Sequence, residues 1–268
     1  MAAGAPRVGL ALGAGGARGW SHIGVIRALE AEGVRPAVVC GTSIGALVGA
    51  AYASGDLDRL ESWVRGLSWT DVLSLVDPTW RGGLIKGVKL LEFFRRHFQD
   101  REIASLPMAY GAVSTDLSSG REVSLVSGSV LEAVRASIAL PGVFTPVARE
   151  GQLLVDGGLV NPVPVSLCRT LGADVVIAVD LGWAKLGRRR AEPNEDLPSV
   201  LEVFLTSIDI MQVRAARSRL AGEPADALVT PLLPGLGTME FHRAAEAIEA
   251  GREAVQRMLP LVRQALQG

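Results

Sequence analysis

The sequence predicts an α/β protein of three layers, α/β/α, built around a mainly parallel central sheet. Three observations carry this. The apolar run Arg7 to Leu12 leads through a glycine-rich turn, Gly13 to Gly19, into an amphipathic stretch from about Trp20 to Glu32. A second apolar run, Ala37 to Cys40, then enters another glycine-containing turn and a second helix-like run, Ala46 to Ala51. Strand, loop, helix, repeated in that order, implies parallel strands joined by right-handed crossovers. Finally, 49% of the residues are hydrophobic and only 5% aromatic. Such a core is assembled from Ala, Val, Leu and Ile, as strands buried on both faces require. The length of 268 residues accommodates one large domain without requiring a second, and residues 1–268 are read as one domain.

The remaining elements follow in order. Residues 57–101 are mostly helical in pattern and carry Trp63, Trp69 and Trp80, with Gly82-Gly83-Leu84-Ile85 near the centre. They read as an inserted helical cap rather than sheet. Tyr110 to Thr115 and Glu122 to Val126 hold β-formers on either side of Ser118-Ser119-Gly120, which predicts a β pair. Val130 to Ile138 is a short helix ended by Pro141-Gly142. Gln152 to Val155 is a strand running into Asp156-Gly157-Gly158, and Val175 to Val179 is a buried strand. Gly187 to Pro198, with Arg188-Arg189-Arg190, reads as an exposed loop. A helix from about Val200 to Leu220, a strand at Ala227 to Thr230 and a final helix from about Arg243 to Leu266 complete the chain, with no internal repeat.

Composition narrows the function classes. A formal net charge of −1 offers polyanions no long-range attraction and argues against a nucleic-acid partner. Cys40 and Cys168 lie in apolar surroundings without metal-ligand spacing, so they are expected to be buried thiols. The N-terminus lacks the basic start and unbroken apolar stretch of a secretory signal, and no segment reaches the roughly 20 apolar residues of a membrane span. The expectation is a soluble, cytoplasmic chain, with peripheral membrane contact left open.

Chemistry concentrates at Gly41-Thr42-Ser43-Ile44-Gly45, set between a strand and a helix. A serine at the apex of such a turn holds its hydroxyl away from the sheet, and Gly41 and Gly45 leave room for the crowded backbone. The helix behind it favours a developing negative charge. A serine hydroxyl needs a base to take its proton and donors to hold the oxyanion. Of the three histidines, His97 lies in the cap-like stretch, His242 begins the last helix, and His22 sits in the first helix, where a structural role is expected. None has the strand-end setting of a triad histidine. Asp156 is the better candidate base, at the end of an apolar strand with Gly157 and Gly158 turning the chain behind it, although Asp-Gly-Gly is also an ordinary turn. Gly13-Ala14-Gly15-Gly16-Ala17-Arg18-Gly19 can supply converging amides, with Gly15 and Gly16 the candidate oxyanion donors. Arg18 is placed to meet a phosphate or to hold the loop. A dinucleotide loop is the rival reading, with no acidic ribose partner at the end of the second strand, where Cys40 and Gly41 stand.

In combination, these three motifs resemble the patatin-like phospholipase family. The likeness extends from about Arg7 to Leu233 and includes Gly19-Trp20-Ser21-His22-Ile23-Gly24-Val25, the stretch Arg135 to Phe144, and Asp156-Gly157-Gly158-Leu159-Val160-Asn161-Pro162. Ala14 departs from the family's loop, where a glycine stands. The resemblance implies a serine acyl hydrolase acting on a lipid or other acyl ester through a Ser-Asp dyad without histidine. It assigns Ser43 as nucleophile, Asp156 as proton acceptor and Gly15 and Gly16 as oxyanion donors, and it calls for no cofactor and no metal. Trp63, Trp69, Trp80, Leu84 and Ile85 are candidates for an acyl-binding cap or a membrane-facing surface, with core packing the default. A non-catalytic protein of the same fold, binding an anionic ligand at the glycine-rich loop, is the second reading. Head group, chain length and oligomeric state are not legible in the sequence.

Overall fold

A computed structural model describes residues 6–74, 77, 83–97, 99–182 and 199–267. The opening is as the strand and helix pattern predicts. β1 (Val8–Leu12) passes through a short 3-10 turn (Gly16–Trp20) into α1 (Ser21–Ala31), and β2 (Val38–Thr42) passes into α2 (Ile44–Ala53). The cap-like stretch supplies α3 (Leu57–Arg65), α4 (Trp69–Ser74), β3 (Gly83–Ile85) and α5 (Val88–His97). There follow β4 (Ala109–Asp116), β5 (Glu122–Leu125), α6 (Val130–Ser137), β6 (Gly142–Phe144), β7 (Val147–Arg149) and β8 (Gln152–Asp156). The last elements are α7 (Val165–Thr170), β9 (Val175–Val179), α8 (Val200–Gly222), β10 (Ala227–Val229) and α9 (Ala244–Gln267).

The central sheet runs β10-β9-β1-β2-β4-β8-β7, and β10 through β4 are all parallel. Its two faces are both dry. Leu10 and Leu12 of β1, Val39 of β2 and Ile177 of β9 join a core with α1, α2, α3, α6 and α9. Ala11, Cys40 and Ala178, one residue out of step, join a second core with α7 and Ala216 of α8. This alternation places helices on both faces and produces the three layers.

The pairing at β4 decides where the site forms. Val113 pairs with both Thr42 and Ser124, and Thr115 with both Glu122 and Val155. Since β5 occupies one edge of β4 at both levels, β2 and β8 must share the other. They lie end to end along it and run in opposite directions, so their C-terminal ends meet. Thr42 is level with Val113, and Asp156 is level with Ser114, one step further on. The residue after Thr42 and the last residue of β8 are thereby brought face to face.

Some elements differ from expectation. Gly83–Ile85, placed in a helical cap from the sequence, is a strand that pairs in parallel with β6 in a separate two-stranded sheet. Three residues are too few for periodicity to register. α3 belongs to the core, with Leu57, Leu60 and Val64 buried. α7, six residues behind Pro164, has too few turns to declare itself. Trp80, Gly82 and the loop from Gly187 to Pro198 lie outside the described residues.

α9 lies along α1 at very close range. A Cβ on Gly24 would collide with the Ile248 carbonyl, and one on Gly251 with the Ser21 carbonyl. Backbone does not yield as a side chain does. Gly24→Ala should therefore lower the unfolding free energy by ~1–3 kcal/mol in urea denaturation. Gly222→Ala, at the open end of α8, should be neutral or stabilising by up to ~1 kcal/mol. Equal losses for the two would contradict close helix contact as the reason for Gly24.

Candidate active site

Ser43 stands between β2 and α2 with φ 56° and ψ −123°. A non-glycine residue in this region stores roughly 1–3 kcal/mol of strain, which persists only where the surroundings enforce it. Here they do. A Cβ on Gly41 would collide with the Gly45 carbonyl, and one on Gly45 with the Leu12 carbonyl, so the chain closes on itself around the serine. The Ser43 amide donates to Ser137 Oγ at 2.9 Å, and that buried hydroxyl donates to the Val113 carbonyl at 2.6 Å. With its one proton and one lone pair so committed, Ser137 pins the turn to β4.

Asp156 approaches from β8. Its Oδ2 accepts from Ser43 Oγ at 2.6 Å, and its Oδ1 accepts from the Gly158 amide at 2.7 Å. The backbone is held as firmly as the side chain. The Asp156 amide donates to the Ala139 carbonyl at 2.9 Å, Thr115 Oγ1 donates to the Asp156 carbonyl at 2.9 Å, and Ser114 Oγ donates to the Val155 carbonyl at 2.6 Å. Gly157 is required because a Cβ there would strike the Val113 carbonyl, and Gly158 because one would strike the Gln212 side chain. Asp156 is 1% exposed. Burial pushes its carboxyl up from 3.8 to about 6 against the opposing hydrogen bonds from Ser43 and Gly158. The loop that follows is fixed by Thr42 Oγ1, which donates to the Asn161 carbonyl at 2.8 Å, while Asn161 Nδ2 donates to Glu122 at 3.1 Å. Arg219 of α8 pairs with the same Glu122.

The glycine-rich loop forms the facing wall. The amide of Gly13 donates to the Val179 carbonyl at 3.0 Å, that of Ala14 to Pro162 at 2.9 Å and that of Ala17 to Thr238 at 2.8 Å. Among the described residues the amides of Gly15 and Gly16 enter no such bond, and both glycines line a cavity with Ser43 and Asp156. Gly16 turns the chain at φ 59°. Arg18 is buried beneath the loop, its Nε donating to the Gly15 carbonyl at 3.0 Å and its Nη2 to Asp209 Oδ1 at 3.2 Å. These bonds tie it to the loop and to α8. Gly19 lies against the Ile44 side chain with no space for a Cβ. His22 Nε2 donates to the Gly13 carbonyl at 2.8 Å, and burial lowers its pKa to about 4. A neutral imidazole facing a carbonyl holds the loop and is no base for Ser43. His242 packs edge-on to Trp69, with ring centroids 5.6 Å apart.

The cavity has a volume of about 180 Å³. Its walls are apolar, with Trp20, Leu47, Trp63, Ile85, Phe94 and Phe144 prominent. Trp63 stacks edge-on to Trp20 at 6.3 Å and to Phe94 at 6.0 Å. Trp63 and Ile85 of the cap-like stretch thus line the space, whereas Trp69 is half-exposed and lies outside it. Asp156 and Asp209 contribute carboxylates to the wall, and among the described residues no lysine, arginine or histidine does. A neutral, flexible apolar group with one carbonyl is what such a space accommodates.

Sequence reasoning passed over Ser137 as an individual residue, although it lies in the Arg135 to Phe144 stretch. It also passed over Ile208, Asp209 and Gln212 of α8 and the turn from Thr238 to Phe241. These come from far along the chain and carry no local motif. Among the described residues no group of three or more His, Cys, Asp or Glu is arranged to hold a metal ion, and no helix is long and apolar enough to cross a membrane.

Comparison with known proteins places the chain in a family. Residues 10–169 match the patatin-like phospholipase family. An uncharacterized NTE family protein of Mycobacterium bovis is 34% identical over 92% of this chain and 89% of its own length. Patatin-like phospholipase domain-containing protein 6 of Homo sapiens is 39% identical over 65% of this chain and 13% of its own. Lysophospholipase nte1 of Aspergillus fumigatus is 32% identical over 91% of this chain and 18% of its own. The chain therefore spans a small part of those two larger relatives. With the family matched over more than half of its length, and a relative at one-third identity along nearly all of both chains, the chain belongs to the patatin-like phospholipase family of lipid acyl hydrolases.

Proposed function

We propose that the protein cleaves a lipid acyl ester through a Ser43-Asp156 dyad and an acyl-enzyme. The observation that carries this reading is the 2.6 Å bond from Ser43 Oγ to Asp156 Oδ2, at the wall of an apolar cavity that also holds Gly15 and Gly16. The named lysophospholipase relative supports a phospholipid or lysophospholipid substrate. In this mechanism Asp156 Oδ2 takes the Ser43 proton as Oγ attacks the ester carbonyl carbon. The carbonyl oxygen becomes an oxyanion and accepts from the Gly15 and Gly16 amides. On collapse, the C–O bond to the alcohol breaks and Asp156 returns the proton to the departing oxygen. Water then attacks the acyl-Ser43 carbonyl, giving a proton to Asp156; as the bond from the acyl carbon to Oγ breaks, Asp156 returns that proton to Ser43 Oγ and the fatty acid is released. A carboxylate raised to about 6 is a better base than an ordinary aspartate and is still mostly ionised at neutral pH.

Ser43→Ala and Asp156→Asn should each lower ester turnover by on the order of a thousand-fold or more, and the double variant should be no worse than either, as for groups that act as one unit. Labelling by a fluorophosphonate should vanish in Ser43→Ala. Undiminished turnover in either variant would remove the dyad from the mechanism.

Acidity gives a separate check. Asp156 works as a base only when ionised, so kcat/KM should rise through about pH 6 and level off above it. Stability should move the other way. Because the folded-state pKa lies above the unfolded value, the native state holds this proton more tightly, and the contribution is lost as pH rises from about 4 to about 6. The loss is on the order of 3 kcal/mol at neutral pH. Asp156→Asn should therefore unfold later than the parent at about pH 7, with the gap closing towards about pH 4. A gap independent of pH would rule out burial of the carboxylate as its cause.

Ser137→Ala removes the acceptor for the Ser43 amide while leaving both reacting groups in place. It should lower kcat by about ten- to a hundred-fold with little change in KM, and Ser137→Thr should recover part of the rate. A rise in KM alone would place Ser137 outside the positioning of Ser43.

A further inference from the structure

α8 is apolar on two faces over its first three turns, and packing explains one of them. Leu205, Ile208 and Gln212 face inward and line the Ser43 cavity. Val200, Val203, Phe204 and Met211 recur at the spacing of a single helix face and are exposed, with Ser207 between them, its hydroxyl turned back to donate to the Val203 carbonyl at 2.8 Å. Val200 is 88% exposed, Val203 51% and Met211 54%. Beyond Met211 the outward side becomes ordinary, with Arg214, Arg217 and Ser218 exposed. The acidic Glu202 does not interrupt the apolar stripe, since its side chain accepts from the Ser199 amide in a capping box.

The stripe continues into the rim of the cavity. The Phe204 ring lies against Gly142 of β6, β6 pairs with β3, and Phe144 and Ile85 of these two strands line the cavity. Directly after β3 come Lys86 and Val88, both exposed, the latter by 50%. An apolar helix face, the strands that line an apolar cavity and an exposed lysine are therefore neighbours along α8, β6 and β3. Apolar side chains with neighbouring lysine are the combination that seats a protein on a lipid surface, the former entering the acyl boundary and the latter meeting head-group phosphate. A soluble protein partner would have no use for the open cavity behind the same helix.

We propose that the outward face of the first half of α8, together with the β3–β6 rim, docks on a phospholipid surface and delivers the acyl chain to the cavity that the adjoining face of that helix lines. The proposal rests on the reading of the cavity as an acyl site. The docking residues are distinct from the reacting ones, so the two ideas fail separately.

The test uses the full chain, Val203→Ser/Met211→Ser, vesicles of phosphatidylcholine with and without one-quarter phosphatidylglycerol, and p-nitrophenyl butyrate as a soluble ester. The parent should co-sediment with vesicles, more strongly with the anionic lipid. The double variant should lose about tenfold or more of vesicle binding and of hydrolysis of vesicle lipid, while its rate on the soluble ester stays at the parental value and shows that it is folded. Unchanged vesicle binding by the variant overturns the proposal. So does a variant that passes from dimer to monomer in size-exclusion light scattering with its vesicle binding intact, which would give the face to a second copy of the chain. A parent that binds vesicles but cleaves neither ester would uphold docking and defeat the Ser43-Asp156 reading.

Discussion

One edge of β4 is shared by two strands that approach from opposite directions, and the rest of the site follows from that sharing. β2 brings Ser43 and β8 brings Asp156, and the two strands end against each other. A longer β2 would displace β8, and a longer β8 would displace Ser43. The gap between them is stitched by hydroxyls. Ser114, Thr115 and Ser137 donate to or accept from backbone groups at or next to Ser43 and Asp156. These bonds occupy polar groups that ladder pairing would otherwise satisfy, as buried backbone requires.

The same region concentrates unfavourable terms. Ser43 is held in a strained conformation, and Asp156 carries a carboxylate out of water. Neither contributes to folding on its own account. Around them the sheet is buried on both faces and the helices are tied by close backbone contact at Gly24 and Gly251. Surplus stability in the layers offsets a destabilising centre, a distribution expected where function sets local structure.

Much of this was legible in the sequence, and the limits have physical causes. The three-layer class followed from the repeated strand and helix pattern, because period-two and period-3.6 signals are strong over long elements. Gly41 and Gly45 around Ser43 were legible because backbone contact leaves no tolerance for a Cβ. β3 and β6 were not, since three-residue strands have no period. The antiparallel arrival of β8 was equally hidden, because direction is set by partners distant in sequence. Arg18 shows the same boundary. Its position beside the loop was evident, but its commitment to Gly15, Asp209 and Thr238 depends on α8 and on a turn more than 200 residues away in the chain.

The charge of the cavity wall bears on how a catalytic cycle would end. An ester entering this space is neutral there, and nothing in the wall opposes it. Hydrolysis would turn it into a fatty-acid anion beside the carboxylate of Asp156, with Asp209 already paired to Arg18 and no cationic side chain among the described lining residues. Like charges repel one another at an apolar wall more strongly than in bulk water. The chemistry would thus create its own expulsive force, and a wall that admits the substrate without resistance would eject the product it yields.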